Sequence, residues 1–136
     1  MATERKSVTV YGLEHAVSAA RVAAGAGVAI YLISGEAAAA HAGPAWFRSL
    51  LEETRKQAPD ADVEGALDCD DFTGYALAAL REGLSTIIYD GTANDAVDDI
   101  ARQCDVTVLR SRSESLDARA AESAGSLEAA LRAWFT

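Results

Sequence analysis

Five times along this chain a short β-prone apolar run is followed by a stretch whose apolar residues recur at helical spacing. Val8 to Tyr11, closed by Gly12, precedes Leu13, Val17, Ala20 and Ala24, with Gly25 and Gly27 as the helix stop. Val28 to Ile33 is nearly continuous in apolar residues, the signature of a strand covered on both faces in a parallel sheet. Pro44 suits the first turn of the next helix, which sets Trp46, Phe47, Leu50, Leu51, Thr54 and Ala58 against a charged face of Arg48, Glu52, Glu53, Arg55 and Lys56. Val63 to Asp68 is the third strand, with Asp70 or Asp71 placed to cap a helix through Phe72, Ala76, Ala79 and Leu80. Thr86 to Tyr89 is the fourth; Thr92 or Asn94 then opens a helix carrying Val97, Ile100, Ala101 and Cys104, and Val106 to Leu109 is the fifth. A polar stretch from Arg110 to Glu122 separates it from a last amphipathic helix, capped by Ser126 and striped by Leu127, Ala130, Leu131 and Trp134.

Strands alternating with helices make right-handed crossovers, so the expected fold is α/β, with five parallel strands and helices packed on the sheet. Two open arrangements satisfy this pattern. A doubly wound sheet of order 2-1-3-4-5, Rossmann- or flavodoxin-like, carries helices on both faces, whereas a sequential order makes part of a TIM barrel and leaves an apolar face needing a partner. At 136 residues, with no long linker, the chain is expected to form one domain, a size that buries roughly 68% of the surface exposed on unfolding.

A formal net charge of -9 argues against nucleic acid or an anionic membrane as a partner, because both require a basic face. No apolar run approaches the ~18 residues of a membrane span, and Met1 to Lys6 leads into a strand-like run instead of a signal-peptide core, so a cytoplasmic location is expected. Cys69 and Cys104 lack metal-site spacing, and a reducing compartment keeps them as thiols.

In either sheet, ligands bind at the carboxyl ends of the strands. Those ends carry Tyr11 and Gly12; Ser34, Gly35 and Glu36; Asp68, Cys69, Asp70 and Asp71; Asp90, Gly91 and Thr92; and Arg110, Ser111 and Arg112. Clustered carboxylates act as acid and base or hold a hard cation, which makes Asp68 and Asp90 the catalytic candidates. Ser34, Glu36, Cys69, Asp70, Thr92, Arg110 and Arg112 are the candidate ligand-binding residues. The two arginines either converge on an anionic group or pair with rim carboxylates. His15 sits close enough to the first strand end to reach the rim, whereas His41 lies in the Ala-rich loop before Pro44. No complete metal-ligand set is present, so no cofactor is expected. Gly25-Ala26-Gly27 joins a helix to a strand, the wrong end of the sheet for a dinucleotide fingerprint, and no GxxxxGK[ST] loop occurs.

The stretch VEGALDCDDFTGYALAALREGLSTIIYDGT, residues 63–92, resembles the class II, zinc-dependent fructose-bisphosphate aldolases, in which a strand ending in LDH is followed by a helix ending in AIRAGF and a strand reading MIDGS. Upstream, Ser34-Gly35-Glu36-Ala37 and His41-Ala42-Gly43 follow the same family's spacing, so the resemblance covers roughly residues 8 to 105. It implies ancestry with the first half of a TIM barrel. The family's proton-moving aspartate is matched by Asp68, but its neighbouring zinc histidine is replaced by Cys69, and the remaining zinc and phosphate ligands belong to a half that has no counterpart here. With a polar rim that lacks nucleophile-base pairs, the chain is expected to be an aldolase-like protein without aldolase activity, serving as a binding or regulatory module with any ligand on the Asp68/Asp90 rim. The alternatives are an enzyme on a small phosphorylated or carbonyl metabolite with Asp68 as base, and a structural homodimer. An incomplete barrel makes a homodimer the expected assembly.

Overall fold

In the computed structural model, which describes residues 4–136, all five anticipated units are present and a further strand follows them. The elements run β1 (Lys6–Val10), α1 (Leu13–Ala26), β2 (Ile30–Ser34), α2 (Ala38–His41), α3 (Pro44–Gln57), β3 (Val63–Asp68), α4 (Thr73–Arg81), β4 (Thr86–Ile88), α5 (Asn94–Cys104), β5 (Thr107–Leu109), β6 (Ser115–Asp117), α6 (Ala118–Ser123) and α7 (Leu127–Trp134). Every neighbouring pair of strands is parallel, and the spatial order is β5-β4-β3-β2-β1-β6. Of the two orders compatible with the sequence, the chain adopts the sequential one, extended by β6 beside β1.

A sequential order with crossovers of one hand stacks the helices on one side of the sheet. Accordingly α1 packs between α7 and α3, and α4 packs against α3 and α5. Alternation along the strands divides their side chains between the two faces. Val8, Val10, Ile30, Leu32, Val63, Leu67, Ile87 and Tyr89 join the helices' Ala16, Ala20, Phe47, Leu50, Ala76 and Val97 in the main core. Ile33, Ala66 and Ile88, flanked by Tyr31 and Leu109, form a separate small cluster on the other face.

That second face is closed by the chain itself. Arg110–Glu114, the five residues between β5 and β6, carry the chain from one edge of the sheet to the other. Five inter-strand spacings in a flat sheet amount to roughly 24 Å, and six extended residue steps reach only about 21 Å. The sheet must therefore curl toward the strap, although β5 and β6 do not pair and no barrel closes. The strap and the first residue of β6 meet the concave face directly: Ser113 and Ser7 hydroxyls lie 2.8 Å apart, and those of Ser115 and Thr9 lie 2.7 Å apart. Ile33, Ala66 and Ile88 are buried as a result. The apolar face that a sequential sheet was expected to leave for a second copy is thus covered within one chain.

Several local expectations are corrected. α4 begins after Phe72 and α5 after Ala93, neither with a side-chain cap, so Asp70, Asp71, Thr92 and Asn94 do not cap. In place of a cap, the buried Tyr89 hydroxyl accepts from the Ala93 N–H and bonds the Thr73 hydroxyl, tying both helix starts to the end of β4. Ser126 does cap α7, accepting from the Ala129 N–H. β6 and α6 lie inside the segment read as a polar stretch, and α2 lies in what was read as a loop. Among the described residues, no helix is long and apolar enough to cross a membrane.

Gly65, in the middle of β3, makes room for α3 on the sheet, because a Cβ at that position would collide with the Leu51 side chain. Gly65→Ala is expected to lower stability by about 1–3 kcal/mol through overpacking, read as a shift in the urea midpoint at constant slope.

Candidate functional site

The carboxyl ends of β2 to β5 and the strap border an open cavity of about 340 Å3 lined by Glu36, Asp68, Asp70, Ile88, Asp90, Arg110, Ser111 and Arg112. Six of the residues singled out from the sequence, namely Glu36, Asp68, Asp70, Asp90, Arg110 and Arg112, therefore converge on one space. Parallel register explains this convergence. Asp68 ends β3 level with Ile88 of β4, Ile88 is level with Leu109, and the residues that follow spill over one common rim.

At the centre is an ion pair. Arg112 Nη1 lies 2.6 Å from Asp68 Oδ2 and also donates to the Ser34 carbonyl at 2.8 Å, while Nη2 donates to Thr9 Oγ1 at 2.8 Å. One guanidinium thus clasps β1, β2 and β3. Asp68 Oδ1 accepts the Asp70 N–H at 2.8 Å, an Asx turn that holds Asp70 at φ 49°. Ser34 Oγ accepts the Asp68 N–H at 2.8 Å, so Ser34 is buried scaffolding beneath the cavity. Arg110 is committed as well: Nη2 pairs with both oxygens of Asp98 at 2.6 Å and Nη1 donates to Asn94 at 2.8 Å. Of the two roles open to these arginines, the structure assigns pairing to both.

Besides Ser34, two candidates do not line the cavity. Cys69 alternates to the helix side of the sheet and is fully buried in the main core. Burial, reinforced by the charge of Asp68, pushes its thiol up to about 12, so it stays protonated at neutral pH and has neither thiolate nucleophilicity nor the form that binds metal. Thr92 is exposed on the loop before α5 and lines no part of the cavity. No group of three or more His, Cys, Asp or Glu side chains among the described residues is arranged to hold a metal.

Beside this cavity is a cluster that the sequence reading missed. Tyr11, at the end of β1, donates its hydroxyl to Asp117 Oδ2 at 2.6 Å, and the Arg119 guanidinium stacks 3.7 Å from its ring centroid. Gly35 makes room for the ring, since a Cβ there would lie 2.8 Å from Tyr11 Cε1. His15 is placed near the rim as anticipated, but its Nδ1 accepts the Tyr11 N–H at 3.2 Å and its ring packs edge-on to Tyr11. Asp117 and Arg119 became rim residues only because β6 pairs with β1. The available signal was Asp117 three residues before Ala120, the spacing of an N-cap, and Asp117 does accept the Ala120 N–H.

Burial pushes the Asp117 carboxyl upward, but the Tyr11 hydroxyl, the Ala120 and Arg119 N–H groups and the Arg119 charge together outweigh it and hold the group below its ordinary value. For Tyr11, burial and then the hydrogen bond and charge of Asp117 raise the phenol. A lowered carboxyl favours folding above its unfolded pKa and loses that contribution as pH falls; a raised phenol favours folding below its unfolded pKa and loses it as pH rises. Asp117→Asn is therefore expected to flatten the stability decline below roughly pH 4, and Tyr11→Phe the decline above roughly pH 10, measured by urea denaturation across pH.

The clasp gives a second expectation. Asp68 has a side chain only 6% exposed and Arg112 is 24% exposed, so Arg112→Met strands a buried carboxylate and should cost about 3 kcal/mol. Adding Asp68→Asn should return about 1 kcal/mol or more of that loss in a double-mutant cycle. No protein-family model matches this chain, and no curated protein matches it.

Proposed function

We propose that the protein is a small-molecule binding module that does not turn over its ligand, with its site on the Asp68/Asp90 rim. The observation carrying this reading is the commitment of the groups that chemistry would need. Both Asp68 oxygens are engaged, by Arg112 and by the Asp70 N–H, so a general base would first have to break the clasp between three strands. Arg110 and Arg112, the groups that would hold an anionic substrate, spend their charge on Asp98 and Asp68. Among the described residues, the lining side chains that make no hydrogen bond or ion pair are those of Glu36, Asp70, Asp90 and Ser111, besides apolar Ile88. Three uncommitted carboxylates and a hydroxyl favour a small cationic ligand, such as an amine, over a phosphorylated one. In this reading the aldolase-like pattern of residues 63–92 is inherited architecture: Asp68 keeps its place on the strand end as a structural partner of Arg112.

A thermal-shift screen tests the proposal. Diamines and polyamines are expected to stabilise the protein, by about 2.7 kcal/mol at a hundredfold excess over the dissociation constant, and Asp90→Asn should weaken the effect. Sugar phosphates should give no shift. Aldol cleavage of a sugar bisphosphate that disappears in Asp68→Asn would overturn the reading in favour of an enzyme.

A further inference from the structure

A second cavity, of about 250 Å3, opens on the same rim beyond Glu36 and is lined by Val10, Tyr11, Gly35, Glu36, Ala38, His41, Trp46 and Arg119. It differs from the first in what its charged groups are doing. Arg119 is held in place by stacking on Tyr11, and Tyr11 is itself fixed by Asp117, yet among the described residues no hydrogen bond or ion pair occupies the Arg119 guanidinium. Its planar donor fork is thus ordered but unspent, the state in which an arginine recognises a carboxylate at low entropic cost. Glu36, in the same cavity, is likewise without a partner among the described residues. Trp46, partly buried against the core, supplies an apolar wall with Val10 and Ala38.

A guanidinium and a carboxylate that make no hydrogen bond or ion pair among the described residues, beside an aromatic wall in a small cavity, are complementary to a molecule carrying the opposite charges next to an apolar group. We propose that this cavity binds a free α-amino acid with an apolar side chain, its carboxylate on Arg119, its ammonium on Glu36 and its side chain against Trp46. A simple anion would leave Glu36 as a repulsive neighbour, and a simple amine would leave Arg119 unused. Glu36 also borders the rim cavity described above, but Asp70, Asp90 and the Arg112 clasp take no part here, so Asp90→Asn separates the two sites.

The test uses the intact chain, with L-phenylalanine and L-leucine as probes and the Trp46 indole N–H followed in two-dimensional NMR spectra. Saturable shifts in the millimolar range or below are expected, with at least tenfold weaker binding for N-acetyl-L-phenylalanine, which lacks the ammonium, and for phenethylamine, which lacks the carboxylate. Arg119→Gln and Glu36→Gln should each weaken binding at least tenfold, whereas Arg102→Gln, on exposed α5, and Asp90→Asn should leave it unchanged. Arg119 and Glu36 are both exposed, so these variants are expected to fold, and their NMR spectra verify it directly. Absence of a saturable shift with both amino acids, an unaltered response in Arg119→Gln, or equal binding of either blocked analogue would overturn the proposal.

Discussion

The strap Arg110–Glu114 is the constraint on which the rest of the molecule depends. A chain that must pass from one edge of a six-stranded sheet to the other in five residues cannot leave that sheet flat. Curling brings the strap against β1, β2 and β3, where the Arg112 guanidinium finds Thr9, Ser34 and Asp68. The same curl hides Ile33, Ala66 and Ile88, which no helix covers. Helices on one side and a polar clasp on the other are two solutions to one problem, since every strand has two faces and a sequential order supplies helices to only one of them.

Electrostatically, the clasp divides the rim into spent and unspent groups. Charges close to the concave face, Asp68 and Arg112, are partly or largely buried and answer each other, which is the condition under which desolvated ions are tolerated. Charges farther out, at Glu36, Asp70 and Asp90, are exposed. The unpaired negative charge of the rim therefore lies at its outer edge, while the buried pair beneath it is balanced. Among the described residues, no buried side-chain polar atom is left without a partner, consistent with a rim in which availability for ligand increases outward.

How far the sequence could be read depended on whether a signal was local. The Val28–Ile33 run is apolar at all six positions and marks β2 to within two residues, and Val63–Asp68 marks both ends of β3; Pro44 marks the first residue of α3, and Ser126 the cap of α7. Ser115–Asp117 has one apolar residue between two polar ones, because β6 is an edge strand whose neighbours on its inner side are hydroxyls. Such a strand has no periodicity to detect. Asp70 or Asp71, and Thr92 or Asn94, are placed to cap by residue type alone, whereas the helix starts are anchored through Tyr89, a contact between residues up to 16 positions apart.

By itself, the sequence determined that strands and helices alternate, that the strands run parallel, and that Glu36, Asp68, Asp70, Asp90, Arg110 and Arg112 share one rim. These follow from periodicity and from the rule that parallel strands end on the same side. Only the tertiary structure decided the strand order, the burial of Cys69, and the arrival of Asp117 and Arg119 beside Tyr11. It also decided that Arg112 meets Asp68, 44 positions away. Those outcomes depend on how the sheet curls and which edge the strap reaches, and spacing along the chain carries no record of either.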